Sequence, residues 1–435
     1  MPEALIIVWF LTFVTLVLAL TVGEASPGKA VQAWNQGFWE LLKPSMQICV
    51  MLITGYVVAR APILQKAWEL LSRLPSPDKP AQAILLLSVF SMVTACIHWG
   101  LSLMGSSMLA VFLARRIPTV NYRLLVASAY LGLGCTWHAG LTGTAPLWAN
   151  TPDNPVQKIV PELIPQSQTI FTAFNIVLLL IVIVAVAVLM YKLHPRGAAA
   201  HQPNAEQREA YNAFAKPEKP RDGSFSSRLL WWPGFNVAVV IMGVLALYYQ
   251  ARGAANISAL FTFDNTNFIF LILGIGLQFR PLFFVKAVEE AGRAVWAIII
   301  QFPFYAGIFG LLSHTGLGES LTRFFVAIGS AASFPLITYW YSGVLNYFVP
   351  SGASEWLITS PYLVPAARNL GVPMPRLILA YSWGNMMTDM IQPFFALPML
   401  AVAKLQFREI AGYLMLVFVL YFIITSAAFF IWPRM

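Results

Sequence analysis

Ile97-His98-Trp99-Gly100-Leu101-Ser102-Leu103-Met104-Gly105-Ser106-Ser107 interrupts one long apolar stretch of the chain. Leu345-Asn346-Tyr347-Phe348-Val349-Pro350-Ser351-Gly352-Ala353-Ser354-Glu355 interrupts another in its second half. Each leads into a further apolar run ending in arginine, Leu109 to Arg115-Arg116 and Leu357 to Arg368. Glycine, proline and hydroxyl residues in mid-membrane free backbone groups that hydrocarbon cannot satisfy, so they must line a polar cavity. The stretches 82–114 and 333–371 that hold these interruptions are too long for one crossing. They read as re-entrant helical hairpins, with tips at Gly105–Ser107 and Ser351–Ser354.

Composition sets the class around them. The 435 residues are 58% hydrophobic and 10% charged, with a mean hydropathy of +0.70. A soluble globule carries about 25% charged residues, so the chain is an all-α polytopic membrane protein. Cys49, Cys96 and Cys135 all sit in apolar runs and read as small core side chains, not as disulfides or metal ligands. The net charge of +9 is spread over loops that flank apolar segments, which fits membrane topology and not nucleic-acid binding. Leu5 to Val22 is long enough to span and has no convincing cleavage site, so it reads as a span and not a signal peptide.

Further spans are expected near 4–22, 40–59, 122–147, 170–191, 231–251, 266–279, 294–312, 376–403 and 410–432. With 60–80 cytoplasmic and both hairpins returning to their side of entry, 19 Lys/Arg fall inside and eight outside. That excess satisfies the positive-inside rule and puts the N-terminus in the cytoplasm and the C-terminus outside. Residues 1–191 then form a first repeat of span, span, hairpin, broken span and span, and 266–435 a second one of opposite orientation. Between them lie a polar cytoplasmic linker at 192–230, read as partly disordered, and one extra span at 231–265. Paired interrupted segments in inverted repeats point to a secondary transporter's binding site.

The span after each hairpin is also broken. Trp137-His138-Ala139-Gly140-Leu141-Thr142-Gly143-Thr144-Ala145-Pro146 breaks the first, and Thr388-Asp389-Met390-Ile391-Gln392-Pro393 the second. Two tips and two broken spans are expected to converge, offering helix N-termini to an anion and carbonyls to a cation. The neutral substrate-binding candidates are Ser106, Ser107, Thr142, Thr144, Asn346, Ser351, Gly352, Ser354 and Gln392. Each could instead be helix-packing glue; their clustering favours a site. Glu355 and Asp389 alone among the acidic residues fall well inside membrane segments, where carboxylates are functional candidates by default. With His98 they are the ion-coupling candidates, unless Glu355 is a solvated charge at an outward tip. His98 and His138 have no ligand companions in sequence, so no metal site is expected. No phosphate-binding loop, dinucleotide fingerprint or nucleophile elbow occurs, so neither an enzyme nor a cofactor is expected. The midplane segments hold no lysine or arginine, which suits a small monoanion better than a multiply charged substrate.

Three motifs carry a family resemblance: Gln301-Phe302-Pro303-Phe304-Tyr305-Ala306-Gly307-Ile308, Asn346 to Trp356, and Ile391-Gln392-Pro393-Phe394-Phe395-Ala396-Leu397-Pro398. Gly37-Phe38-Trp39, Asn154-Pro155-Val156 and Phe174-Asn175 add to them. Over essentially its whole length the chain resembles the short-chain fatty acid (acetoacetate/butyrate) transporter family, which looks related to the ion transporter superfamily. The resemblance implies a scaffold, a moving transport domain, a homodimer and elevator-type alternating access. The chain departs from the family pattern at His98, where asparagine is usual, and at Glu355. Asn385 and Asp389 exchange the family's acid and asparagine. The expected function is import of short-chain monocarboxylates by proton or sodium symport, with other organic anions such as dicarboxylates as the alternative. An intramembrane enzyme would need a nucleophile with a base, and a sensor a signalling domain; neither is apparent.

Overall fold

The computed structural model describes residues 4–40, 42–195, 202–204, 207, 217–254, 260–293 and 295–431. Among them every regular element is helical. The chain opens with α1 (Ala4–Thr21), α2 (Pro27–Glu40) and α3 (Leu42–Ala59). The amphipathic α4 (Pro62–Leu71) follows, starting on Pro62, whose missing N–H is no loss in a first turn. It buries Trp68 and exposes Ile63 and Leu70. α5 (Ala81–Ile97) and α6 (Trp99–Arg116) make the first hairpin. α7 (Tyr122–Cys135) and α8 (Thr144–Ala149) make a broken span, and α9 (Ala173–Lys192) ends this half.

After α10 (Phe225–Trp231) and α11 (Gly234–Gly253) come α12 (Phe263–Gln278), α13 (Pro281–Gly292), α14 (Trp296–His314) and α15 (Leu317–Ile328). The second hairpin is α16 (Phe334–Phe348) and α17 (Gly352–Asn369). α18 (Met374–Met387), α19 (Leu397–Ala403) and α20 (Phe407–Ile431) complete the chain.

Packing sorts these helices into two groups. In one, α14 lies along α1 and α2, α12 along α3, and α11 against α12. In the other, α5 packs on α6, α7 and α9, while α16 packs on α17, α18 and α20. Each short broken-span helix crosses to the opposite hairpin, α8 to α17 and α19 to α6. The groups meet where α3 packs on α6 and α14 on α17.

Several expectations need correction. The first hairpin does not turn at Gly105–Ser107, which lies buried inside α6. Gly105 faces the Trp68 ring and Ser107 Oγ donates to the Leu103 carbonyl, 2.6 Å away. Small residues there let helices approach closely instead of ending one. The chain turns at His98. In the second hairpin the break is Val349–Ser351, and 352–354 form the first turn of α17. The span expected at 40–59 continues back to Pro27, and the one at 294–312 bends by 75° into α15.

The hydropathy reading gave nine separate spans. Among the described residues four helices are long and apolar enough to cross unbroken: Pro27–Ala59, Ala173–Lys192, Gly234–Gly253 and Phe407–Ile431. Two further bent pairs, Tyr122–Cys135 with Trp137–Ala149 and Ile298–His314 with Leu317–Ile328, pass together, while Leu5–Thr21 and Ala81–Ile97 are apolar but shorter. Within the expected linker at 192–230, residues 196–201, 205–206 and 208–216 lie outside the described residues.

Candidate functional site

The two hairpins turn through the same backbone conformation: φ −158° and ψ 116° at His98, φ −159° and ψ 110° at Ser351. Each turning side chain then caps the helix it starts. His98 Nδ1 accepts from the Leu101 N–H and Ser351 Oγ from the Ser354 N–H, both at 3.3 Å. An N-cap satisfies one of the four N–H groups a helix start leaves free. At α6 a second is used, since the Trp99 N–H donates to Thr142 Oγ1 at 3.3 Å.

Trp99 and Gly352, the first residues of α6 and α17, line a common cavity between the two helix groups. One wall comes from the first group: Ile48, Met51, Phe263, Ile298, Gln301, Phe302 and Tyr305. The facing wall holds Trp99, Trp137, Thr144, Pro350, Ser351, Gly352, Ala353, Phe394 and Phe395. Among the described residues no charged side chain lines it. The space, counted to its open mouth, amounts to about 530 Å³. Trp99, Trp137 and Phe395 form an aromatic cluster at its edge, with ring centroids 5.0 to 6.1 Å apart. These apolar walls suit a short hydrocarbon tail, and the α17 N-terminus, with Gly352 and Ala353 in the lining, suits one anionic end.

Local hydrogen bonds hold the broken spans open. Trp137 Nε1 donates to the Thr142 carbonyl at 2.9 Å, and the Thr144 N–H donates to His138 Nδ1 at 3.2 Å. The His138 ring stacks on Trp137, centroids 4.1 Å apart. Asn175 Nδ2 donates to the Ala139 carbonyl at 2.9 Å while its Oδ1 accepts from Trp383 Nε1 at 2.8 Å, tying the first broken span to α18.

Beside α17 lies a buried polar chain. Asn385 Nδ2 donates to Glu355 Oε2 at 2.5 Å and to Asn346 Oδ1 at 3.1 Å. Asn346 Nδ2 donates to Asp389 Oδ1 at 2.8 Å and to Thr388 Oγ1 at 3.1 Å. Gln392 Nε2 also donates to Asp389 Oδ1, at 3.0 Å. Both carboxylates are fully buried, and neither makes an ion pair among the described residues. Glu355 Oε1, Asp389 Oδ2 and Asn385 Oδ1 have no hydrogen-bond partner among the described residues. Amide donors meet only one oxygen of each acid, and a buried unpaired charge costs several kcal/mol. The arrangement therefore favours any proton or cation that reaches it.

Several expected residues meet at this place. Thr144, Ser351 and Gly352 line the cavity; Asn346, Gln392, Glu355 and Asp389 belong to the polar chain. Ser354 is buried in the first turn of α17, its Oγ unpartnered among the described residues. Glu355 is not a solvated charge, because α17 is buried on all sides in this turn. Thr142 is committed to Trp99 and Trp137. Ser106 and Ser107 lie inside α6, outside the cavity lining. His98 makes no hydrogen bond to either acid. It wedges between α3 and α12, its ring centroid 3.9 Å from that of Phe270 and its Cε1 2.6 Å from where a Gly55 Cβ would sit.

The sequence reading missed Asn385, Gln301, Tyr305 and the aromatic lining. The only signal for Gln301 and Tyr305 was their place in a quoted motif. Gln301-to-Ile308, Asn346-to-Trp356 and Ile391-to-Pro398, which lie far apart in the chain, all contribute to this one cavity.

A cavity at paired hairpin breaks inside a multi-pass helical protein is the arrangement of a membrane transporter's binding site. Comparison with known proteins agrees. The family described as "Short chain fatty acid transporter" matches residues 1–432, and the chain belongs to that family. It is 36% identical over 416 residues to an Escherichia coli (strain K12) protein named as a short-chain fatty acid transporter, covering 95% of this chain and 92% of that one. A Haemophilus influenzae protein of the same name is 33% identical over 424 residues, covering 95% and 93%.

Among solved structures the fold is similar to the Alcanivorax borkumensis YdaH transporter, with a TM-score of 0.60, 15% identity and coverage of 99% and 98%. It is also similar to Neisseria gonorrhoeae MtrF, described with a class of antimetabolite efflux pumps, with a TM-score of 0.54, 16% identity and coverage of 99% and 95%. At these identities the likeness concerns the fold alone.

Proposed function

We propose that this chain is a secondary active importer of short-chain monocarboxylates across the cytoplasmic (inner) membrane, driven by an inward proton or sodium gradient. The observation that carries the reading is the cavity, with one helix N-terminus for an anion, apolar and aromatic walls for a short tail, and, among the described residues, no cation to receive a second carboxylate. Thr144 and Ser351 supply neutral polar contacts, and Asp389 with Glu355 supplies the ion-coupling site. The matched family and the names of the relatives agree with this substrate class.

Uptake of labelled butyrate into proteoliposomes under imposed proton or sodium gradients tests the reading. Concentration of butyrate under one of these gradients, with unlabelled propionate competing and succinate not, is the expected result. Competition by succinate at equal concentration would shift the substrate class to dicarboxylates, and outward transport against the gradient would reverse the direction.

The fold serves this function as two inverted repeats, 1–191 and 266–435, in a homodimer whose hairpin-bearing group moves against the other by an elevator-type step. The matching turns at His98 and Ser351, and the mirrored packing of α3 on α6 and α14 on α17, support that plan. Single cysteines at the exposed positions Arg73 and Arg116 are expected to react with an impermeant maleimide from the cytoplasm only, and those at Ser330 and Asn369 from outside only. Labelling of the two members of either pair from opposite sides would mean that the hairpin crosses the membrane.

A further inference from the structure

The start of α11 lies beside the end of α12, where Asn236 Nδ2 donates to the Ile275 carbonyl at 2.9 Å. At this level an open cavity is lined by Lys219, Arg221, Arg228 and Arg280, together with Trp231 and Trp232. The cations come from two segments far apart in the chain, joined where α10 packs on α13. Among the described residues no acidic side chain lines the cavity. Glu218 pairs with Arg221 at 3.6 Å, and Asp222 accepts from Ser224 Oγ at 3.0 Å. Lys219, Arg228 and Arg280 make no ion pair among the described residues. The Arg280 guanidinium lies 4.2 Å from the Trp231 ring centroid and donates to the Trp231 carbonyl, which fixes it in the wall.

Basic residues beside a span are ordinary topology signals. That role is served by scattered, freely solvated side chains. Here three unpaired cations converge on one cavity, and like charges repel until an anion lies between them. The surroundings say which anion. Phe225, Trp232, Phe235 and Phe279 are each more than half exposed, and aromatic side chains gather at the boundary between membrane and water. α11 is long and apolar enough to span, with only 11% of its apolar stretch buried inside the protein. Trp232 touches Phe235, ring centroids 5.3 Å apart. From Phe235 the exposed residues Val239 and Met242 continue down one face of the helix at helical spacing.

We propose that this cavity binds the phosphate headgroup of an anionic phospholipid from the adjacent leaflet, with an acyl chain lying along the Phe235, Val239 and Met242 face of α11. Lys219, Arg228 and Arg280 hold the phosphate. A choline headgroup brings its own cation to a cavity that already holds too many, so the site selects by net charge. A soluble phosphate meets the same cations but gains nothing from the apolar face.

Native mass spectrometry of the full-length protein released from detergent micelles tests this, with phosphatidylglycerol, phosphatidylcholine and inorganic phosphate as probes. The parent is expected to retain one phosphatidylglycerol at least about tenfold more tightly than phosphatidylcholine, with no displacement by inorganic phosphate at equal concentration. Lys219→Gln with Arg228→Gln is expected to weaken that binding about thirtyfold, since each basic residue beside an anionic lipid contributes about a factor of five. Both changes leave Arg280 and its contacts with Trp231 in place. Arg115→Gln with Arg116→Gln removes the same charge from exposed residues elsewhere, and is expected to change binding by less than about threefold. If the first double variant fails to fold, Arg228→Gln alone, expected to weaken binding about fivefold, locates the site. Equal retention of the two lipids by the parent would overturn the proposal. So would equal losses in the two double variants, which would reduce the cluster to diffuse positive charge. Displacement by inorganic phosphate would make the cavity a soluble-anion site and overturn it as well.

Discussion

Asp389→Asn is expected to abolish accumulation of substrate against its gradient while leaving exchange of pre-loaded substrate partly intact. The buried side chain accepts from Asn346 at 2.8 Å and from Gln392 at 3.0 Å through one oxygen, and its other oxygen is unpartnered among the described residues. Asparagine keeps the size and the accepting oxygen, so the amide chain from Glu355 to Gln392 stays linked. What is lost is the negative charge that a proton or sodium ion would neutralise. Moving a group of helices that holds an uncompensated carboxylate through hydrocarbon is strongly disfavoured. In the proposed mechanism, loading the site with a cation before movement links the two fluxes.

One pH unit is worth about 1.4 kcal/mol, which supports about tenfold accumulation of a substrate moved with one proton. In Asp389→Asn that ratio is expected to fall to about one, while labelled butyrate still exchanges with unlabelled butyrate inside the vesicle. A variant that concentrates butyrate as well as the parent would make Asp389 structural and leave Glu355 as the coupling group.

Gly352→Ala is expected to slow uptake by about a hundredfold. A Cβ on residue 352 would fall 2.2 Å from His138 Cε1, 2.5 Å from its Nε2 and 3.0 Å from Asn385 Oδ1. The imidazole has little room to retreat, since it stacks on Trp137 and its Nδ1 accepts from the Thr144 N–H. The Gly352 carbonyl is itself held by the Tyr381 hydroxyl at 2.6 Å. The start of α17 must therefore shift away from the first broken span by more than about 1 Å, a displacement that can cost about a hundredfold in rate at a preorganised site.

Uptake efficiency, read as Vmax over KM for butyrate, is expected to fall by about that factor with membrane insertion unchanged. Adding His138→Ala removes the clashing ring, and a double-mutant cycle should then show coupling between the two positions. Independent, additive losses would mean that Gly352 is needed for something other than its approach to His138.

These variants probe features that the linear sequence shows to unequal degrees. The two interrupted apolar stretches and the broken spans behind them were legible, because polar and helix-breaking residues inside long apolar runs have few physical explanations. The hairpins at Ala81–Arg116 and Phe334–Asn369 lie within two residues of their expected bounds. The turning residue of the first was not legible. Gly105-Ser106-Ser107 looks like a turn by composition, yet a fully buried helix accepts small residues wherever a neighbour such as Trp68 packs closely. His98 looks like an ordinary apolar-face histidine, yet it is the N-cap.

By itself the sequence determined the class, the all-helical architecture, the family and the segments that hold the polar groups, since these follow from composition, apolar run length and local motifs. Tertiary structure alone decided which of those groups meet. Glu355, Asn385, Asn346 and Asp389 become one hydrogen-bonded chain only when α16, α17 and α18 pack together. Gln301 and Tyr305 reach the site only because α14 lies against α17. A glycine's lack of a side chain carries no message in sequence until a histidine from the other half of the chain occupies the space. Hydrogen bonds and close contacts between segments depend on distance in space, and no local pattern of residues encodes that distance.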